Sequence, residues 1–381
     1  MSEIESNPSA ANAANPVCPD SIDQVRQLIL DSESVLMVGN RSKPTLSAVT
    51  AETTLVSSRS LSGIVEYEPS EFTFTAMAGT TLNEINDTLR DKRQYMPFDP
   101  LLADHNATIG GTLAAGISGP GRHRYGGVRD FVLGAQFVAG DGQLIQSGGK
   151  VVKNAAGFDI PKLLVGSCGR FGAITQLTFK VFPRPQGIQT YQVRCSDHAM
   201  AATVIAAAAR GRWELDAIDY SAKTRMVWLR ISGAAEISQA IADDMQRVGV
   251  ADSLTRVDSD QAALIWQQLG SFEFGPELDC VAKVPTTLRQ MIGLADWCDT
   301  SKHAAVLHNS VAGAISWIAL SQHDLDDFDT YLRETEVTGQ LMRGPRAPDG
   351  RLVIGNRGIN HIESAIKHAM DPVGRFPIFE R

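Results

Sequence analysis

Between Thr108 and Ile174 the chain is punctuated by three runs of glycine and small residues, and no other stretch so restricts what it can build. They read Thr-Ile-Gly-Gly-Thr-Leu-Ala-Ala-Gly-Ile-Ser-Gly-Pro-Gly over 108–121, Lys-Asn-Ala-Ala-Gly-Phe-Asp over 153–159, and Gly-Ser-Cys-Gly-Arg-Phe-Gly-Ala-Ile over 166–174. A single glycine usually marks a turn. Here alanine, serine and threonine surround the glycines, and segments of strand character separate the runs. Such clusters combine bare backbone donors, small hydroxyls and missing side chains, which lets a backbone lie against a large flat ligand with phosphates and a planar ring.

The rest of the chain bounds this reading. A length of 381 residues with 43% hydrophobic residues predicts two domains, or one large domain with an insertion. The formal net charge of -8 excludes a nucleic-acid partner, which requires a basic face. Cys18, Cys168, Cys195, Cys280 and Cys298 are scattered and form no CxxC pair. They indicate neither a disulfide framework nor a zinc or iron–sulfur site, so no metal is expected and a reducing cytoplasm is. Residues 1–18 are rich in Asn, Ala, Ser and Pro and lack a basic start or an apolar core, which predicts a disordered leader. No apolar run approaches the ~18 residues that span a bilayer.

Periodicity places the elements. A helix is expected over 19–29, capped by Asp20 or Ser21, followed by a buried strand over 35–38. That strand runs into Gly39, Asn40, Arg41, Ser42 and Lys43, a loop suited to an anion nest although it is neither a Walker A loop nor a GxGxxG fingerprint. Strands are expected over 63–67 and 71–77, a helix opened by a capping box over 81–84, a hairpin around Asp141 and Gly142, and a strand over 174–182. Beyond Pro185 glycines thin out, and a β-α-β-β-α unit is predicted over 191–248, with a less clear second set over 254–341. This alternation suits an α+β cap with helices on one face of an antiparallel sheet. A helix near 359–370 is stopped by Asp371 and Pro372.

These motifs, in this order, resemble the vanillyl-alcohol oxidase (PCMH-type) FAD-binding superfamily, and within it the FAD-binding E subunits of bacterial glycolate oxidase (glycolate dehydrogenase). The segments that carry the resemblance are 39–43, 63–82, 96–100, 109–122, 126–134 and 148–159. It covers about 19–185 and is loose beyond. It implies an α+β fold with a PCMH-type FAD-binding domain of two α+β subdomains over 19–185, a ferredoxin-like α+β cap over 186–345, and a segment over 346–381 returning to the first domain. It further implies that Gly39, Asn40, Arg41, Ser42 and Lys43 meet the pyrophosphate. Thr108, Gly110, Gly111, Thr112, Ala115, Gly116 and Ser118 would line the flavin and ribityl chain, Gly172 and Ile174 would approach the adenine half, and Pro97 joins this set. Gly111 is expected to leave no room for a side chain. Covalently flavinylated relatives carry a histidine in the first loop; none stands here, so the FAD is expected to be non-covalent. Cys168 is read as a small packing residue.

The catalytic side is thinner. Flavin oxidation of a 2-hydroxy acid needs a base for the hydroxyl proton and cations for the carboxylate. His308 is the candidate in the segment where catalytic relatives place several polar ligands, and a structural role is the competing reading. Arg122, His123 and Arg124 read as a solvated loop in preference to a carboxylate clamp. Two functions stay open: an FAD-carrying subunit of a glycolate dehydrogenase complex, with a homologous flavin-containing catalytic subunit and an iron–sulfur subunit as partners, or a self-sufficient flavoenzyme acting on a 2-hydroxy acid or sugar alcohol. A scaffold that has lost FAD is a third, which the glycine runs oppose. The subunit reading expects a cytoplasmic protein, at most peripheral to the inner membrane through its partners, with a cap docking face around Trp213, Trp266, Trp297 or Trp317.

Overall fold

Ser21 caps the first helix, Ile22–Asp31, by accepting from the Gln24 amide, and the helix buries Val25 and Ile29. The strand that follows, Val35–Val38, pairs in parallel with Thr54–Ser57, a strand without a sequence signal. The computed structural model describes residues 15–50, 52–149, 158–300, 304–345, 352–356, 358 and 361–378. Most of the expected leader, most of the 153–159 run and a third of the expected 346–381 segment lie outside the described residues.

A second subdomain is an antiparallel sheet of five described strands, in the order Ile64–Glu68, Thr73–Met77, Ala173–Lys180, Val132–Val138, Leu144–Gly148. The last two form the expected hairpin, and Thr81 caps the helix Leu82–Arg90 through the Glu84 amide. Within the first glycine run the chain forms a helix, Ile109–Ala115, where only a close-lying backbone was expected. This is the PCMH-type α+β fold.

The cap is an antiparallel sheet of nine described strands. Its centre follows the order Ile188–Arg194, Met226–Ser232, Ala217–Ser221, Ala305–Ser310, Ile315–Leu320, Cys280–Pro285, Thr338–Arg343. Two β-α-β-β-α units stand side by side here, joined where Ala217–Ser221 meets Ala305–Ser310. The second unit carries the helices Leu288–Thr300 and Leu325–Glu334, which makes it a structural repeat without a repeated sequence.

Alternation along these strands gives the sheet two different faces. Ala282, Val284, Leu307, Ile318 and Leu341 pack against Ile205, Met245, Leu294 and Phe328 of the cap helices. On the opposite face Val281, Trp317, Ala319 and Met342 join Leu113, Ile117 and Cys168 in one continuous core with the first half of the chain. Trp317 is fully buried against Phe272, so it offers no docking surface. Near the C-terminus Phe376 packs with Val25, Ile29 and Val35, and the Val35 amide donates to the Arg375 carbonyl.

Candidate functional site

Val35–Val38 delivers the chain to a turn in which Gly39 lies hard against the glycine helix: a Cβ on Gly39 would stand 2.3 Å from Thr108 Oγ1. That hydroxyl caps the helix by accepting from Gly111 N at 3.1 Å. The amides of Ile109 and Gly110 donate to the carbonyls of Thr80 and Ala78, which fastens the first turn to the end of a strand. The two adjacent glycines do different work. A Cβ on Gly110 would stand 2.8 Å from the Ala78 side chain and carbonyl, whereas one on Gly111 would meet only Thr108 Oγ1, at 3.1 Å, and otherwise project into open space. Gly110 is thus packed against Ala78, and Gly111 faces the cavity in which a side chain would compete with a bound cofactor.

Three cavities lie around this turn and the segment 165–171, and two of them share walls to form a groove. The middle one, about 50 Å³, is bounded by the Gly39–Lys43 loop, Thr108, Gly111, Ala115 and Cys168. On one side it shares Gly39 and Gly111 with a cavity of about 30 Å³ that reaches Gly110, Gly172 and Ile174. Ser167, the chain neighbour of Cys168, lines a third cavity of about 420 Å³ under the cap sheet together with Phe171, Lys283, Gln340, Glu363 and Ile366 among others. Gly116 ends the glycine helix in the left-handed region at φ 63, and its Cβ position lies 2.9 Å from Gly166 Cα, so the two chain segments touch through bare backbone. Two residues that are not glycine, Arg41 at φ 55 and Cys168 at φ 48, hold the same left-handed conformation on the wall of the middle cavity. Each such placement costs about 1–3 kcal/mol and persists where the surrounding structure fixes it.

The groove is electropositive inside. Lys43 is 6% exposed and donates to Ser42 Oγ at 3.0 Å. Lys283, half-buried on the cap strand, donates to the Gly116 carbonyl at 3.4 Å. Neither has a carboxylate partner among the described residues. Burial pushes both ammonium groups from 10.5 down to about 8, opposed by the nearby Cys168. Burial in turn pushes the Cys168 thiol up, and Gln340 Nε2 contacts its sulfur at 3.9 Å. Ser167 Oγ, on a residue 2% exposed, has no hydrogen-bond partner. Unpaired buried cations and an orphan hydroxyl are costly unless an anionic, polar ligand completes them.

The remaining candidates sit elsewhere. Ser118 Oγ accepts from the Val128 amide at 2.9 Å, Thr112 points into the core, and Pro97 lies beneath Gly121, so none of the three lines the groove. His308 is buried with Nε2 2.9 Å from Asp219 Oδ2, between the rings of Trp228 and Phe274. It too faces none of the three cavities. The Arg122–Tyr125 segment is a helical turn and not the expected solvated loop: Arg124 pairs with Asp216 at 2.7 Å and with Glu214, which ties the two halves together. Sequence reasoning missed Ser167, Lys283 and Gln340. The available signal was a lysine inside the apolar strand Cys-Val-Ala-Lys-Val over 280–284.

Comparison with known proteins accords with this geometry. Residues 13–148 match the FAD binding domain family. The chain is 35% identical to glycolate oxidase subunit GlcE of Escherichia coli over 56% of this chain and 59% of that protein. It is 29% identical to a D-lactate dehydrogenase of Archaeoglobus fulgidus over 51% of this chain and 43% of that protein. The matched region thus spans well under two thirds of these relatives' length. A solved structure of alkyldihydroxyacetonephosphate synthase superposes on 94% of this chain and 74% of its own with a TM-score of 0.64 at 16% identity, which shows a shared fold. No helix among the described residues is long and apolar enough to cross a membrane.

Proposed function

We propose that this chain, which carries an FAD binding domain over residues 13–148, is the flavin-bearing subunit of a complex that oxidises a 2-hydroxy acid, with glycolate as its substrate. The observation that carries the cofactor site is the groove itself, walled by bare glycine backbone, with Lys43 on its wall and Lys283 on the neighbouring cavity, neither of which has a carboxylate partner among the described residues. Lys43 and the Gly39–Lys43 loop hold the diphosphate, and the adenosine lies toward Gly172 and Ile174. When bound, FAD takes up the hydride equivalent from the substrate carbon and passes electrons on. The absence of a histidine from the described lining of the large cavity favours a subunit over a self-sufficient enzyme, because His308 is held by Asp219. A homologous catalytic subunit and an iron–sulfur subunit are the partners in this reading, and any membrane contact is made through them.

The test begins with the visible spectrum of the purified protein, which should show bound flavin. Glycolate added anaerobically should leave that absorbance unchanged in the isolated chain and bleach it once the catalytic and iron–sulfur partners are present. Rapid, complete bleaching by the chain alone transfers the assignment to a self-sufficient oxidoreductase. A colourless protein that takes up no FAD overturns both.

A further inference from the structure

The large cavity holds two polar groups that the packing of this chain does not require. Lys283 reaches it from the cap strand Cys280–Pro285, in register with Gln340 on one neighbouring strand and Trp317 on the other. Ser167 also lines it, and its hydroxyl is buried without a hydrogen-bond partner. Around them Val165, Phe171, Pro285, Val353 and Ile366 supply apolar surface, and Thr338 and Glu363 complete the polar part of the lining. A cation and an amide beside apolar surface suit a planar heterocycle with a carbonyl edge. The volumes agree, because the spaces of about 50 and 30 Å³ admit only extended chain or a ring edge, while about 420 Å³ has room for three fused rings.

We propose that Lys283 contacts the pyrimidine carbonyl edge of the flavin and sets the electron affinity of the ring. This rests on the FAD site of the preceding reading and adds to it the residue that tunes the cofactor. Reduction by two electrons and one proton leaves one negative charge on the N1–C2 carbonyl edge. A cation fixed in an apolar cavity stabilises that charge more than it stabilises the neutral oxidised ring, so it raises the reduction potential. Among the described residues Lys283 makes no salt bridge, although Glu363 lines the same cavity, and Arg122 adds to the positive potential around the lysine. Because Lys283 stands on the cap sheet, the tuning charge comes from a part of the chain 167 residues beyond the glycine it contacts, Gly116.

The test uses the full chain loaded with FAD and compares Lys283→Met, Lys283→Gln and Lys283→Arg with the wild type. Thermal melting and flavin content establish that each variant is folded and loaded; having two neutral replacements guards against one that packs badly. Midpoint potentials are measured by equilibration with reference dyes, and sulfite addition to the flavin N5 supplies a second reading, since it places the same negative charge on the pyrimidine edge. Both neutral variants should show a lower potential and a sulfite affinity weaker by roughly tenfold or more, the effect of removing one nearby charge, and Lys283→Arg should recover most of it. A potential equal to wild type in loaded, folded Lys283→Met and Lys283→Gln overturns the role of Lys283 and leaves the FAD site standing. Failure of the wild-type chain to bind FAD refutes the site itself.

Discussion

Lys283 Nζ donates to the carbonyl oxygen of Gly116 at 3.4 Å, joining the middle of the cap sheet to the last turn of the glycine helix. The contact crosses from one half of the chain to the other, and its lysine lines the large cavity. It is possible because Gly116 and Gly166 meet through backbone alone, which brings the wall of the cavity within reach of a lysine side chain.

Gly110 and Gly111 should separate cleanly on mutation. Gly111→Val directs its branches into the groove and is expected to abolish flavin retention in a chain that still melts cooperatively near the wild-type temperature. Gly110→Ala presses a methyl group into Ala78 and should cost about 1–3 kcal/mol by overpacking. The ratio of flavin to protein absorbance, with thermal denaturation, checks both. A Gly111→Val protein carrying a full complement of FAD refutes the placement.

Affinity for FAD should fall as the medium becomes alkaline. Lys43 has its ammonium lowered from 10.5 to about 8 in the free protein, and an approaching diphosphate raises it again. Binding therefore takes up a proton above pH 8: affinity is flat below that value and declines above it, by up to about tenfold per pH unit. Titration calorimetry across this range should show the slope in the wild type and a weaker, flatter profile in Lys43→Met. A wild-type affinity constant to pH 10 contradicts the prediction.

His308 should prove structural. Asp219 accepts from His308 Nε2 at 2.9 Å and from Ser310 Oγ at 2.8 Å in a fully buried setting. Asp219→Ala leaves both partners unsatisfied and should cost on the order of 3 kcal/mol in chemical denaturation. His308→Ala is expected to lower stability while flavin content stays at the wild-type level. Loss of flavin with unchanged stability would place His308 at the cofactor instead.

The flavin should leave with acid. The Gly39–Lys43 loop contains no histidine, and Cys168 is buried with its thiol pushed up, which suppresses the thiolate needed for attachment. Acid precipitation is predicted to release all flavin fluorescence to the supernatant. In the native protein a thiol reagent should label Cys18, which is exposed, rapidly and Cys168, Cys195, Cys280 and Cys298 slowly. For Cys195 and Cys280 burial lifts the thiol to about 11, and for Cys298 to about 12. Flavin retained in the pellet would point to a covalent link.

Local chemistry in the sequence determined a good deal of this protein. Capping by Ser21 and Thr81, the hairpin at Asp141 and Gly142, and the alternating pattern of the first cap unit all depend on neighbours a few residues apart, and the structure has each of them. The Gly39–Lys43 loop and the glycine run were legible for the same reason, since bare backbone next to a strand end is a local signature. Tertiary structure alone decided which of two adjacent glycines packs and which faces the groove, because that depends on Ala78, a residue from a different strand. It also decided the fate of the lone histidine and the lone strand lysine. Antiparallel register set Ser221 beside His308, which faces Asp219, and set Lys283 beside Gln340 on the face turned toward the glycine helix. Strand pairing joins residues far apart in the chain, and a shift of one residue reverses every side chain. The lysine at 283 was therefore legible in the sequence as a charge in an apolar strand, and strand pairing alone set it against Gly116.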